Sequence, residues 1–168
     1  MCHTQNCKCN RCKNCSSFCD FCHCNSDNQD NCRLTSSEYL QATLTDDSSI
    51  LIAPGKIVPF DKVTSQVGNK IVHQFDGSFL LKKAGVYQIH WNIAIDGSDS
   101  SPYLLLGIKE SEQIIHKVVT PVSLKQASGF ALIPVQTATP ISLVNAGTDT
   151  IRLSPISPSA NMIITSLN

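Results

Sequence analysis

The sequence predicts an all-β sandwich or barrel, entered through an irregular cysteine-rich segment. Three observations lead there. From Ser48 onward, roughly ten short apolar runs follow one another with glycine and proline between them. None of these runs carries a helical period. All nine cysteines fall within the first 32 of 168 residues, so that segment is built differently from the rest.

Residues 1–33 are poor in aliphatics, with Asn, Lys, Ser and Asp filling the gaps between cysteines. Such a stretch has too little apolar surface to fold by hydrophobic collapse. Residues 34–47, "LTSSEYLQATLTDD", read as a polar connector with a few apolar anchors. Residues 48–168 then form the β domain, and 168 residues suit one ordinary core plus a tail.

Along that domain the predicted strands run in order. They are "SILIA", "KIVPF", "KIVHQF", "SFLLKK", "AGVYQIHWNIAI", "YLLLGIK", "QIIHKVV", "SGFALIPVQ", "PISLVNA", "TIRLS" and "NMIITSL". Pro54-Gly55, Asp76-Gly77, Asp96-Gly97 and Asn145-Ala146-Gly147 read as turns between them. The most regular run puts Tyr87, Ile89, Trp91, Ile93 and Ile95 on one face and Gln88, His90, Asn92 and Ala94 on the other. Period-two alternation with β-branched and aromatic residues marks a half-buried strand. Tyr87, Ile89, Trp91 and Ile93 are therefore assigned to core or inter-subunit packing.

The bulk chemistry excludes several classes. Thirteen basic residues balance thirteen acidic ones, so there is no electrostatic case for nucleic acid or an anionic membrane. No apolar run reaches the length of a bilayer span. No signal peptide is legible at the N-terminus. Synthesis in a reducing cytosol is then expected, with the cysteines meeting metal there or oxidising later, outside it. G-x-S-x-G, H-E-x-x-H and phosphate-binding glycine loops are missing, and His73, His90 and His116 sit singly on separate strands. An enzyme is not expected.

The stretch "VPFDKVTSQVGNKIVHQFDGSFLLKKAGVYQIHWNIAI" (58–95) resembles the C-terminal head of BclA-type collagen-like glycoproteins of the bacterial exosporium. The likeness lies in the order of a "VPF" segment, a glycine before an isoleucine strand, a phenylalanine strand and "GVYQI". It continues more loosely to "NMIITSLN" and covers roughly residues 48–168. It implies a ten-stranded jelly roll of the tumour necrosis factor and complement-head type, forming a homotrimer at the spore surface. The Gly-X-Y stalk of those glycoproteins is replaced here by the cysteine segment.

Three chemistries compete for that segment. Cys9, Cys12, Cys15 and Cys19 are spaced C-x2-C-x2-C-x3-C, the run of bacterial iron–sulfur ferredoxins, but Asp20 stands where a proline usually follows. Cys7-x-Cys9 and Cys22-x-Cys24 suit thiolates bridging zinc or copper, with His3 and His23 as further ligands. Cys19 to His23 also spells the haem-attachment pattern, which a chance histidine after a dense cysteine run explains. The third chemistry is cross-linking. An odd number of thiols (Cys2, Cys7, Cys9, Cys12, Cys15, Cys19, Cys22, Cys24 and Cys32) cannot all pair within one chain. The reading is a structural protein of the spore surface, in exosporium, coat or appendage. It trimerises through its head and is joined by its cysteines to further copies, as a filament or otherwise, or to other spore-surface proteins. A metal- or iron–sulfur-carrying scaffold is the alternative, and a ligand-binding adhesin a further one.

Overall fold

The longest strand coincides with the most regular alternation in the sequence. In the computed structural model, which describes residues 37–46, 48–98 and 101–167, Gly85–Ser98 is one continuous strand. Its odd-numbered residues from Tyr87 to Ile95 are buried and its even-numbered ones face outward. Tyr87, Ile89, Trp91 and Ile93 keep no exposed surface within a single chain, so they are core.

Twelve strands are assigned among the described residues: β1 (Tyr39–Leu44), β2 (Leu51–Ile52), β3 (Lys62–Val67), β4 (Ile71–His73), β5 (Phe79–Leu81), β6 (Gly85–Ser98), β7 (Tyr103–Glu110), β8 (Gln113–Pro121), β9 (Gln126–Val135), β10 (Thr139–Asn145), β11 (Ile151–Leu153) and β12 (Ala160–Ser166). Ten of them form two five-stranded antiparallel layers. One runs β3–β1–β12–β6–β9 and the other β4–β5–β10–β7–β8. The short β11 pairs with the end of β6, from Ile95 to Ser98, and carries β2. This is a jelly-roll sandwich, with sequence-distant strands made neighbours.

Between the layers Phe60, Phe79, Leu40, Leu81, Tyr87 and Trp91 fill one continuous apolar core. Phe60 and Phe79 meet at 5.7 Å between ring centroids with the rings tilted by 57°, a favoured aromatic arrangement. Buried polar ends are tied off locally. The Tyr87 hydroxyl donates to the Lys83 carbonyl at 2.8 Å, and burial pushes that phenol above its ordinary range. Asn145, fully buried, donates to the Ile52 and Asp149 carbonyls and accepts from the Gly147 amide.

The structure departs from the sequence reading at four places. The connector expected at 34–47 contains β1, an interior strand flanked by β12 and β3. Its apolar side chains Leu40, Ala42 and Leu44 are buried, so the sandwich starts at Ser37, ahead of Ser48. The "KIVPF" run is not a strand. It crosses β10 through an Ile57–Val144 bridge and a Val58 amide to Leu143 carbonyl bond of 2.8 Å, which buries Val58 and Val144. The polar run Lys62–Val67, not anticipated, is β3, held by backbone pairing to β1. Asp96-Gly97 makes no turn because β6 runs through it to pair with β11.

Candidate self-association face

A sheet has two faces, and on the layer containing β6 only one is spent on the core. The register across β1, β12, β6 and β9 fixes what the other face carries. One row reads Ser65, Gln41, Ile163, His90, Phe130. The row beside it, toward the chain's entry point, reads Val67, Tyr39, Thr165, Gln88, Leu132. Val86 and Pro134 lie beyond that. In the opposite direction come Thr43, Asn161, Asn92, Ser128, then Ala94 and Gln126. Side chains in such rows sit about 4.5–5.5 Å apart and form a continuous surface.

Two properties of this face matter together. Across β12, β6 and β9 its outward positions from Val86 to Ala94, Asn161 to Thr165 and Gln126 to Pro134 hold no Asp, Glu, Lys or Arg. And it exposes large apolar groups: Phe130 is 49% accessible and Leu132 55%, with Val86, Val67 and Leu167 also open. The apolar groups gather toward the chain's entry, while amides and a hydroxyl (Asn161, Asn92, Ser128) occupy the far rows. Gln41 Nε2 donates to Asn161 Oδ1 at 3.1 Å, and Tyr39 and Ser65 hydroxyls lie 3.1 Å apart.

The apolar run "YLLLGI" (103–108) spends half of its side chains on the core. Leu104, Leu106 and Ile108 point into the core, and Gly107 is closed over by Ile114 and Ala146. Tyr103 is the exposed member; with Leu105, Val119 and the Asn145–Asp149 turn it lines an open cleft of about 270 Å³.

At the corner where the described chain begins, Glu38 acts as a clamp. Its carboxylate accepts the Asn69 amide at 2.6 Å and the Lys70 amide at 2.8 Å, and the Lys70 ammonium lies 3.7 Å away. These bonds close the β3–β4 turn, where Gly68 adopts φ +81° and any Cβ would run into the Glu38 side chain. The Lys70 amide first, with the Asn69 amide and nearby lysine charges, holds the Glu38 carboxyl below the ordinary range. The Ser166 amide donates to the Glu38 carbonyl at 2.8 Å, so the last strand is tied to the same corner.

The nine cysteines, His3 and His23 lie outside the described residues. Among the described residues no three His, Asp or Glu side chains gather as a metal site, and no helix is long and apolar enough to cross a membrane. His73 Nε2 donates to the Phe60 carbonyl at 2.9 Å and stacks obliquely on Phe79; His116 is on β8 and His90 on the face just described. What the sequence did not reveal was Phe130 and Leu132 as surface. Their run, "SGFALIPVQ", is apolar at nearly every position, so only the register shows that Ala131 and Ile133 are the buried ones.

Two packed antiparallel layers in this strand order make a jelly roll whose fold is shared with tumour necrosis factor heads. Among solved structures the chain is similar in fold to Eiger TNF from S. frugiperda, with 8% identity, TM-score 0.59, and coverage of 79% of this chain and 92% of that one. It is similar likewise to murine APRIL, with 11% identity, TM-score 0.58, and coverage of 79% and 100%. Rabbit GITRL aligns with 12% identity, TM-score 0.52, and coverage of 78% and 94%. No protein-family model matches the chain, and no curated protein matches it by sequence.

Proposed function

We propose that the chain is a structural protein of the bacterial spore surface whose head associates with copies of itself, as a trimer, through the outward face of β1, β12, β6 and β9. The observation that carries this is the charge-free surface around Phe130 and Leu132. Exposing scattered apolar side chains needs no explanation, but a contiguous apolar patch without charges is the chemistry of a contact. The trimer follows the likeness to exosporium and tumour necrosis factor heads. The N-terminal cysteines then join trimers to one another or to the spore shell, in a filament or a layer.

Sedimentation of the full chain in reducing buffer tests the contact. The wild type associates at micromolar concentration. Phe130→Asp and Leu132→Asp each place an uncompensated carboxylate in the contact, which costs about 3 kcal/mol or more, a weakening on the order of a hundredfold. A wild-type monomer at that concentration, or variants that associate as tightly, overturns the assignment. Antibody labelling of intact spores tests the setting, and metal analysis of native protein tests the rival reading of the cysteines.

A further inference from the structure

We infer that His90 makes the association of heads pH-dependent, so that protonation of its imidazole loosens the contact between copies. The inference rests on the reading of that face as the contact, and deepens it by naming what regulates it.

His90 is exposed at the centre of the patch, on β6. Ile163 of β12 stands directly opposite on one side and Phe130 of β9 on the other. Along β6 its same-face neighbours are Gln88 and Asn92, and in the adjoining rows they are Thr165, Leu132, Asn161 and Ser128. None of these side chains ionises. Further out, β1 contributes Tyr39, Gln41 and Thr43, of which only the Tyr39 phenol is an ionisable group. Lys62 on the edge strand β3 and the Glu38–Lys70 pair at the corner carry charge but stand outside the rows around His90. The face therefore offers no carboxylate to receive an imidazolium.

A neutral imidazole is well suited to such a surface, since it packs against Phe130 and Ile163 and still hydrogen-bonds through one nitrogen. An imidazolium is not. Each copy brings its own His90 to the contact, so closing it desolvates several cations in apolar surroundings and sets like charges against each other. Association thus favours the neutral ring. Linkage gives the sign: the contact is strongest where the ring is neutral and weakens as falling pH protonates it.

The measurement is the dissociation constant of the full chain, cysteines reduced, between pH 7.5 and pH 5.0. Association of the wild type should weaken about tenfold or more, the equivalent of one pK unit at one site per chain. His90→Gln should associate nearly equally at both pH values. His90→Lys should be weak at both. Wild-type association that ignores pH overturns the inference, as does a His90→Gln chain that keeps the same pH dependence, which would point to His73 or His116. Tight association of His90→Lys overturns it too. No association at any pH is a different failure, and removes the contact face itself.

Discussion

Trp91 on β6 and Gly129 on β9 are directly opposite in register, and the indole occupies the space a Gly129 side chain would need. A Cβ at Gly129 would overlap the six-membered ring of the indole and lie 2.7 Å from its Nε1. The largest side chain of the core and the missing side chain of the neighbouring strand are one packing unit. Gly129→Ala should therefore destabilise by about 1–3 kcal/mol through overpacking, although alanine suits a strand better than glycine. An unchanged midpoint of urea unfolding would contradict the packing.

Trp91 should separate two effects. Trp91→Ala empties the site and should cost about 3–5 kcal/mol. Trp91→Phe keeps an aromatic filling and removes an indole N–H that has no hydrogen-bond partner among the described residues, so its cost should be about 1.5 kcal/mol or less. Equal losses for both variants would mean that the N–H is satisfied.

The start of the sandwich is testable by truncation. A chain beginning at Ser37 keeps β1 and should give a cooperative unfolding transition. One beginning at Ser48 loses an interior strand, stranding the inner edges of both β12 and β3, and should fail to fold. Folded protein from the shorter chain would show β1 to be dispensable.

Acid should act through the corner clamp. Because the Glu38 carboxyl titrates below its ordinary range in the folded chain, its contribution is complete above that range and is lost as pH falls through the lowered folded value. The Asp46 and Asp76 carboxylates, held low chiefly by Ser48 and Ser78, add in the same direction. Glu38→Gln should lower stability at neutral pH and should have less to lose between pH 5 and pH 2. Parallel curves for variant and wild type across that window would remove Glu38 from the acid response.

The cysteine segment divides two chemistries. Under the cross-linking reading, native assemblies loosen with reductant and not with chelator, and deleting residues 1–33 leaves soluble heads that never join a larger assembly. Single Cys→Ser changes should be mild, since nine thiols per chain are redundant. Under the metal reading a chelator acts instead, and one lost ligand matters far more.

Strands that alternate were legible in the sequence, and β6 is the plainest case: its buried set was readable from period two alone. Strands defined by what they pair with were not. β3 has almost no buried side chain, so nothing in "KVTSQV" distinguishes it from a loop until β1 is beside it. β1 alternates too, with Leu40, Ala42 and Leu44 set against Gln41 and Thr43, but a run this short between the polar stretches "TSSE" and "TDD" reads as a connector. The outward face of β9 was illegible because an apolar-throughout strand does not say which half of its side chains faces water.

β12, which follows every other strand among the described residues, lies between β1 and β6. The layer therefore closes only once its final strand is in place. Until Ala160–Ser166 has emerged, β1 has no partner on that side and β6 is half unpaired, so a nascent chain holds open strand edges up to that point. Contacts spanning more than a hundred residues, such as Leu40 with Ile164, carry a large loop-closure cost and make folding slow. A chain cut before β12 exposes an aggregation-prone strand edge on each side of the gap.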